Sequence, residues 1–245
     1  MMLRTTMSIG GGLTFVALLG LPFVAGPSSL RVGGLFFLTL TALTGLHIVT
    51  GLTKVVSLCH VALIGLGAYC AAIASLRLGL SPVGGLLVGT VAAGSCALLL
   101  ACLTTRLEEH YLALATLAAG EILVNIFRGA TSVTGGANGL SGVPPLRVFG
   151  AVLDTPARYY PFCLVIGLAA FGFVWRLDRG HLGRSLRAMG DEGLLVEALG
   201  ISGTRLRAVG FTIGGSLAGL AGAVSLHGVH PVGLEDDVDA PVEIL

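Results

Sequence analysis

Seven apolar stretches, each about as long as a helix needs to cross a bilayer, take up most of this chain and decide what it can fold into. A hydrocarbon core about 30 Å thick takes roughly 20 residues of α-helix. The candidates are Ser8–Gly26, Leu30–Thr50, Cys59–Leu76, Pro82–Thr105, Tyr111–Phe127, Tyr160–Trp175 and Ala208–Gly228. Inside lipid every backbone N–H and C=O must be satisfied within the protein, so spans separated by short loops are read as helices. The expectation is an all-α, polytopic membrane bundle of about seven transmembrane helices, forming a single domain over residues 1–245. Composition agrees: 54% of residues are hydrophobic, 11% are charged and the mean hydropathy is +0.93, too little polar surface for a soluble globule of this length. Arg4 ahead of Ser8–Gly26 has the look of a secretion signal. The apolar stretch is long for one and more spans follow at once, so it is read as an uncleaved first helix.

Orientation follows from the basic residues. With the arginine-containing segment of about Arg176–Arg207 in the cytoplasm, alternation puts Arg4, Lys54, Arg106, Arg176, Arg179, Arg184, Arg187, Arg205 and Arg207 inside. Arg31, Arg77, Arg128, Arg147 and Arg158 fall outside, and this nine-to-five split of the 14 basic residues sets the N-terminus in the cytoplasm. The net charge of +1 carries no message about nucleic acid, and with the arginines scattered and no accompanying aromatic ladder no nucleic-acid partner is expected.

Within the spans, Gly215, Ala218, Gly219 and Gly222 recur on one helix face, the pattern by which small residues let membrane helices approach closely. Packing inside the bundle is a sufficient reason for them, and a backbone-lined solute path is the other. Glu121 and Asn125, with Arg128 three residues on, fall near one face of Tyr111–Phe127. A charge at the bilayer centre costs roughly 2.5–3.5 kcal/mol on insertion scales, so Glu121 should face protein or water. It either locks the bundle, paired with Arg128 or protonated, or takes part in solute passage. His60 ends a stretch broken by Gly51 and Ser57, and is either a packed core histidine or part of a cavity lined by free backbone groups. No second ligand stands near it, so no metal is expected. The 5 cysteines are odd in number and lack a Cys-x-x-Cys pair, so they read as small packing residues.

The segment Thr134-Gly135-Gly136-Ala137-Asn138-Gly139, running on to Pro144-Pro145, dictates turns in an external loop whose N–H groups either simply connect two helices or hold an anion. It is no nucleotide-binding P-loop, which ends in Gly-Lys-Ser/Thr, whereas the single lysine, Lys54, follows Thr53. The chain therefore carries no ATPase motif of that kind, and no catalytic residues are assigned to it.

Four segments in order resemble one family. Gly51–Tyr69, with Ser57-Leu-Cys-His60 and Gly65-Leu-Gly-Ala-Tyr69, resembles the Gly-x-x-Ser-Leu-Gly-His…Gly-x-Gly-Ala-Tyr segment of branched-chain amino acid ABC transporter permeases. Tyr111–Ile122 is similar to that family's Tyr-x-Ala-x-x-Thr-Leu-x-x-x-Glu-Ile, and Thr134–Gly139 to its Thr-Gly-Gly-x-Asn-Gly. Gly183–Ala188 and Glu197–Ile201 complete a resemblance over about residues 45–228. It implies a multi-pass subunit in the bacterial inner membrane that works with a second permease, two ATPase subunits and an external solute-binding protein. The chain would bind no cofactor of its own, ATP being used by the partner subunits, and the solute would be a branched-chain or related amino acid.

The resemblance also implies an ATPase-coupling helix at Leu194, Leu195, Val196, Glu197, Ala198, Leu199 and Gly200. Alanines are expected where Leu195 and Val196 stand, which makes that docking surface bulkier, and Cys59 replaces a glycine before His60. Independently of the family, Leu194, Leu195, Ala198 and Leu199 form an apolar stripe beside Asp191, Glu192 and Glu197, and a stripe in a polar loop needs a partner. Family members continue past the point where Leu234–Asp239 leads only to Leu245, so the chain is expected to be C-terminally short, through truncation or as a shortened subunit. Two other classes compete. An ion-coupled secondary transporter would use Glu121 as a relay, and an intramembrane enzyme would recruit His60 and Glu121 as acid and base.

Overall fold

The computed structural model describes residues 20, 26–104, 109–136, 140, 142–148 and 151–228. Six of its helices are long and apolar enough to cross a membrane. They are α1 (Pro27–Leu46, continuing as a π-helical turn over His47–Leu52), α2 (His60–Arg77), α3 (Pro82–Thr104), α4 (Glu109–Gly129), α6 (Pro156–Arg179) and α9 (Gly203–Gly228). Between them lie α5 (Thr131–Thr134), a two-stranded hairpin of β1 (Arg147–Val148) and β2 (Ala151–Val152), α7 (His181–Asp191) and α8 (Gly193–Ala198). The chain is thus a polytopic helical bundle, and the six spans match six of the seven expected. The first expected span, Ser8–Gly26, lies outside the described residues, as do Arg106 and the chain after Gly228.

Helix ends depart from the sequence reading for a simple reason. Hydropathy marks where a helix is apolar, whereas a helix runs as far as its backbone bonds and capping allow. Pro156, whose missing N–H costs nothing at the first turn, starts α6 ahead of Tyr160, and Arg176–Arg179 prolong it beyond Trp175. Likewise α9 opens at Gly203, so Arg205 and Arg207 sit on helix rather than in a loop.

The core forms around α9, which packs along α3, α2 and α1, while α6 packs on α1. The small face of α9 makes this possible: a Cβ at Gly222 would overlap the Ile64 carbonyl of α2, and one at Gly67 would overlap the Gly219 backbone. Close helix packing therefore accounts for that face. By contrast, only 17% of the α4 span is buried, against 56% of α9. Helix α4 rests on the bundle by one edge.

The two ends of the bundle are chemically distinct. At one, Arg77 of α2 donates to the Ser132 and Val133 carbonyls, His227 Nδ1–H donates to the Pro144 carbonyl at 3.1 Å, and the Tyr159 hydroxyl donates to Val224 at 2.8 Å. At the other gather the π turn, Lys54, α7 and α8. This grouping of loops is the one alternation of the spans requires.

Candidate functional site

Between α1 and α2 the chain is irregular. After Leu46 the helix widens into the π turn, in which the Thr50 hydroxyl donates back to Leu46 at 2.9 Å and that of Thr53 to Val49 at 2.5 Å. Such back-bonding by threonine competes with the backbone ladder and often accompanies a bend in a helix. Lys54 then takes φ +56°, the one non-glycine positive φ among the described residues, and the chain stays non-helical until His60. A π turn and a side-chain-bearing residue in the left-handed region are both local costs that the surroundings must hold in place.

Three neighbours hold it. His60 is buried and its Nε2–H donates to the Ala42 carbonyl at 2.9 Å, which ties the start of α2 to α1. The Leu58 N–H donates to the Thr116 hydroxyl of α4 at 3.1 Å, and Gly120 lies against Cys59, where a Cβ would come within 3.4 Å of the Cys59 Cα. On the third side comes α7. A Cβ at Gly190 would stand 2.7 Å from the Leu52 carbonyl oxygen, and the Lys54 ammonium pairs with the Asp191 carboxylate. So His60 is a core histidine tying two helices, and the broken stretch beside it is a junction between α1, α4 and α7.

The amphipathic α7 buries Gly183, Leu186 and Met189, with Leu186 and Met189 joining Ile48, Leu52, Val174 and Leu206. Arg187 fixes its base by donating to the Asp178 carbonyl at 2.6 Å and pairing with the Asp178 carboxylate at 3.0 Å. In α8, Val196 is buried in that same cluster, whereas Ala198, Leu199 and Gly200 are exposed, Leu199 to 72%. The expected bulk of Val196 on a docking surface is therefore corrected: two residues along a helix is about 200° of rotation, so with Ala198 outward Val196 points to the core. Leu194, Leu195 and Glu197 are helical, but their side chains lie outside the described residues. Gly200 has φ +82°, and the Ile201 N–H donates to the Val196 carbonyl at 3.2 Å. That is a Schellman-type stop, which needs a residue tolerant of left-handed backbone.

Glu121 and Asn125 are exposed on α4. Leu112 and Thr116 are buried on the opposite side, with Glu121 and Asn125 about 140° and 180° around the helix from Thr116. Neither has a hydrogen bond or ion pair among the described residues. Arg128 is seven residues, or about 10 Å of helix, from Glu121 and is also exposed, so the expected pair between them is not formed. Among the described residues Glu121 therefore makes no hydrogen bond or ion pair that would lock the bundle.

In the Thr134 loop, Gly135 (φ +76°) caps α5 by donating to Thr131, and Gly136 (φ +63°) donates to the Thr134 hydroxyl at 3.2 Å. Asn138 and Gly139 lie outside the described residues. Among the described residues no cluster of three His, Cys, Asp or Glu side chains could hold a metal.

The Lys54–Asp191 pair and the Gly190 contact were not legible in the sequence, since nothing in it joins positions 137 residues apart. The only available signal was that the chain's single lysine stands in the stretch between Gly51 and Ser57 that breaks the apolar pattern.

The profile of the family described as branched-chain amino acid transport system / permease component matches residues 31–241. Over 231 residues the chain is 28% identical to the high-affinity branched-chain amino acid transport system permease protein LivM of Escherichia coli, with 83% of this chain and 53% of that protein covered. The protein of the same name from Salmonella typhimurium is 28% identical over 231 residues, with the same 83% and 53% coverage. The chain spans about half the length of the curated relatives it matches. No solved structure matches it.

Proposed function

This chain belongs to the family of branched-chain amino acid transport permease components, and we propose that it is a membrane-spanning permease subunit of an ABC importer for branched-chain or related amino acids. Its partners on this reading are a second permease, two ATPase subunits that consume ATP, and an external solute-binding protein. The membrane is the bacterial inner membrane, with the N-terminus, α7 and α8 on the cytoplasmic side. Of the described basic residues, seven stand at the α7 end (Lys54, Arg176, Arg179, Arg184, Arg187, Arg205 and Arg207) and five at the other, which supports that orientation.

The observation that carries the proposal is α4. It is the least buried span, and it presents Glu121 and Asn125 on the face turned away from its own bundle. Lipid is a costly neighbour for a carboxylate at that depth, roughly 2.5–3.5 kcal/mol on insertion scales. A polar, water-accessible solute route closed by a second permease removes that cost and gives the two side chains a use: the carboxylate and amide can meet the polar end of an amino acid.

The junction supplies a connection to the ATPase. The exposed Ala198–Leu199 end of α8 is the docking surface, α7 is keyed onto Leu52 and Lys54, and Leu58 and Cys59 touch α4 at Thr116 and Gly120. A displacement of α7 and α8 by the ATPase thereby reaches the back of the helix whose front carries Glu121.

The test is uptake of radiolabelled leucine by proteoliposomes holding this chain, alone or with the permease, ATPase and binding-protein products of its neighbouring genes. Uptake that requires ATP and the ATPase subunits is expected. Uptake by the chain alone on an imposed proton or sodium gradient would establish the secondary-transporter alternative instead.

A further inference from the structure

At the end of the bundle where α7 docks, α1 and α6 part to leave an open groove of about 310 Å³. Leu40, Leu43 and His47 line one wall and Phe171, Trp175 and Asp178 the other, each set spaced to share one helix face. The groove runs about 10 Å, seven residues of helix, and changes character over that length. Its Leu40–Phe171 end is aliphatic and aromatic, while its other end carries the imidazole of His47 and the carboxylate of Asp178. A transmembrane helix from another subunit would be matched by small residues that allow close backbone approach, whereas this groove is walled by Leu40, Leu43, Phe171 and Trp175. A groove that turns polar within two helical turns suits a molecule that is itself apolar at one end and charged at the other.

The sign of that charge follows from the neighbours. The Arg179 guanidinium lies over the Trp175 ring, 4.1 Å from its centroid, and Arg176 is exposed one turn before it. The Asp178 carboxylate, the one acidic group lining the groove, is answered by Arg187 at 3.0 Å. With Asp178 answered, the charge left bordering the polar end is that of Arg179 over Trp175, and it is positive. Tryptophan and arginine together are also the pair that membrane proteins place at the headgroup level.

We propose that this groove is a binding site for an anionic phospholipid, with an acyl chain along Leu40, Leu43 and Phe171 and the headgroup phosphate at Arg179 beside Trp175. This assignment is independent of the transport reading, since it rests on the α1–α6 surface and not on α4 or α8.

Trp175 is the chain's single tryptophan, so its fluorescence reports on this groove alone. The full chain is placed in mixed phosphatidylcholine and phosphatidylglycerol vesicles in which one lipid or the other is brominated in its acyl chains. Brominated phosphatidylglycerol should half-quench Trp175 at about fivefold lower mole fraction than brominated phosphatidylcholine, the preference that one arginine near an anionic headgroup confers. Arg179→Gln should abolish the difference while leaving quenching by phosphatidylcholine as before, which also shows that the variant has inserted. Arg179→Lys, keeping the charge, should retain it. Equal quenching by the two lipids, a preference unchanged in Arg179→Gln, or its complete loss in Arg179→Lys overturns the proposal. So does the absence of quenching by either lipid, which would mean that protein, such as residues 8–26 or a second permease, covers the groove.

Discussion

At Lys54 the usual ranking of glycine and alanine should invert. Its φ of +56° lies in the left-handed region, where a residue with a Cβ costs about 1–2 kcal/mol. Glycine escapes that cost but loses more conformational entropy on folding, which in an ordinary element makes it about 0.5–1 kcal/mol worse than alanine. Both Lys54→Ala and Lys54→Gly remove the pair with Asp191, so comparing them cancels that term and isolates the backbone. Strain relief exceeds the entropy term, and Lys54→Gly should be the more stable variant by about 0.5–1 kcal/mol. The pair itself, with both side chains 58% exposed, is screened and contributes only about 0.2–1 kcal/mol. The expected order is therefore wild type close to Lys54→Gly, with Lys54→Ala below both. Thermal unfolding of the purified chain in detergent, followed by circular dichroism, reads this order directly. Lys54→Gly less stable than Lys54→Ala would refute a left-handed Lys54.

The same position separates stability from coupling. If the chain works in the importer proposed above, Lys54→Gly and Asp191→Ala should each lower leucine taken up per ATP hydrolysed, although the first is as stable as wild type. The reversed pair Lys54→Asp with Asp191→Lys should recover the ratio, because aspartate tolerates left-handed backbone better than most residues. A wild-type ratio in both single variants would remove the junction from the coupling path.

Glu121→Gln keeps polarity on α4 and should retain most uptake and assembly, whereas Glu121→Leu leaves the groups opposite unmatched, at about 1–3 kcal/mol, and should reduce recovery of the two-permease complex. Abolished uptake in a normally assembled Glu121→Gln complex would point to a proton relay. A Cβ at Gly200 would meet no atom within 4 Å, so the cost of Gly200→Val, about 1–2 kcal/mol, is chiefly backbone strain in the α8 stop. Membrane levels should stay normal while ATPase co-purification weakens, and Gly200→Asn should behave nearly as wild type. Gly222→Val drives a side chain into the Ile64 carbonyl and should cost at least about 3 kcal/mol, seen as loss of monodisperse protein in detergent. Gly172→Val, with nothing within 4 Å of its Cβ, is the matched control and should leave yield unchanged.

Six of the spans were legible in the sequence because lipid forces each into a self-satisfied helix, so that length and hydropathy alone identify them. The polar stretch between Arg176 and Arg207 was not legible in the same way. Its helices α7 and α8 are stabilised by docking on Ile48 and Leu52, partners far away in the chain. For α8 the difficulty was sharper, because Leu194, Leu195, Val196, Ala198 and Leu199 spread their apolar side chains over about 200° of the helix, too broad an arc to say which part turns in. Only the cluster that receives Val196 decides which face turns in. Gly200 could be read as a stop because left-handed backbone leaves a local signature in residue type, whereas Lys54 carries the same conformation with a side chain that advertises nothing.

Glu121 shows where reading a membrane sequence reaches its physical limit. That a carboxylate in mid-span must avoid lipid follows from the residue alone. Whether its shelter is the same chain or another does not, because a helix face buried in protein and one facing lipid are equally apolar. The structure turns Glu121 and Asn125 away from α2, on the span with the least burial. In a soluble protein an exposed glutamate needs no explanation, since water is a good neighbour. At bilayer depth the same exposure is a missing neighbour, and its polarity says what that neighbour must offer: water, a solute or a second protein surface able to hydrogen-bond.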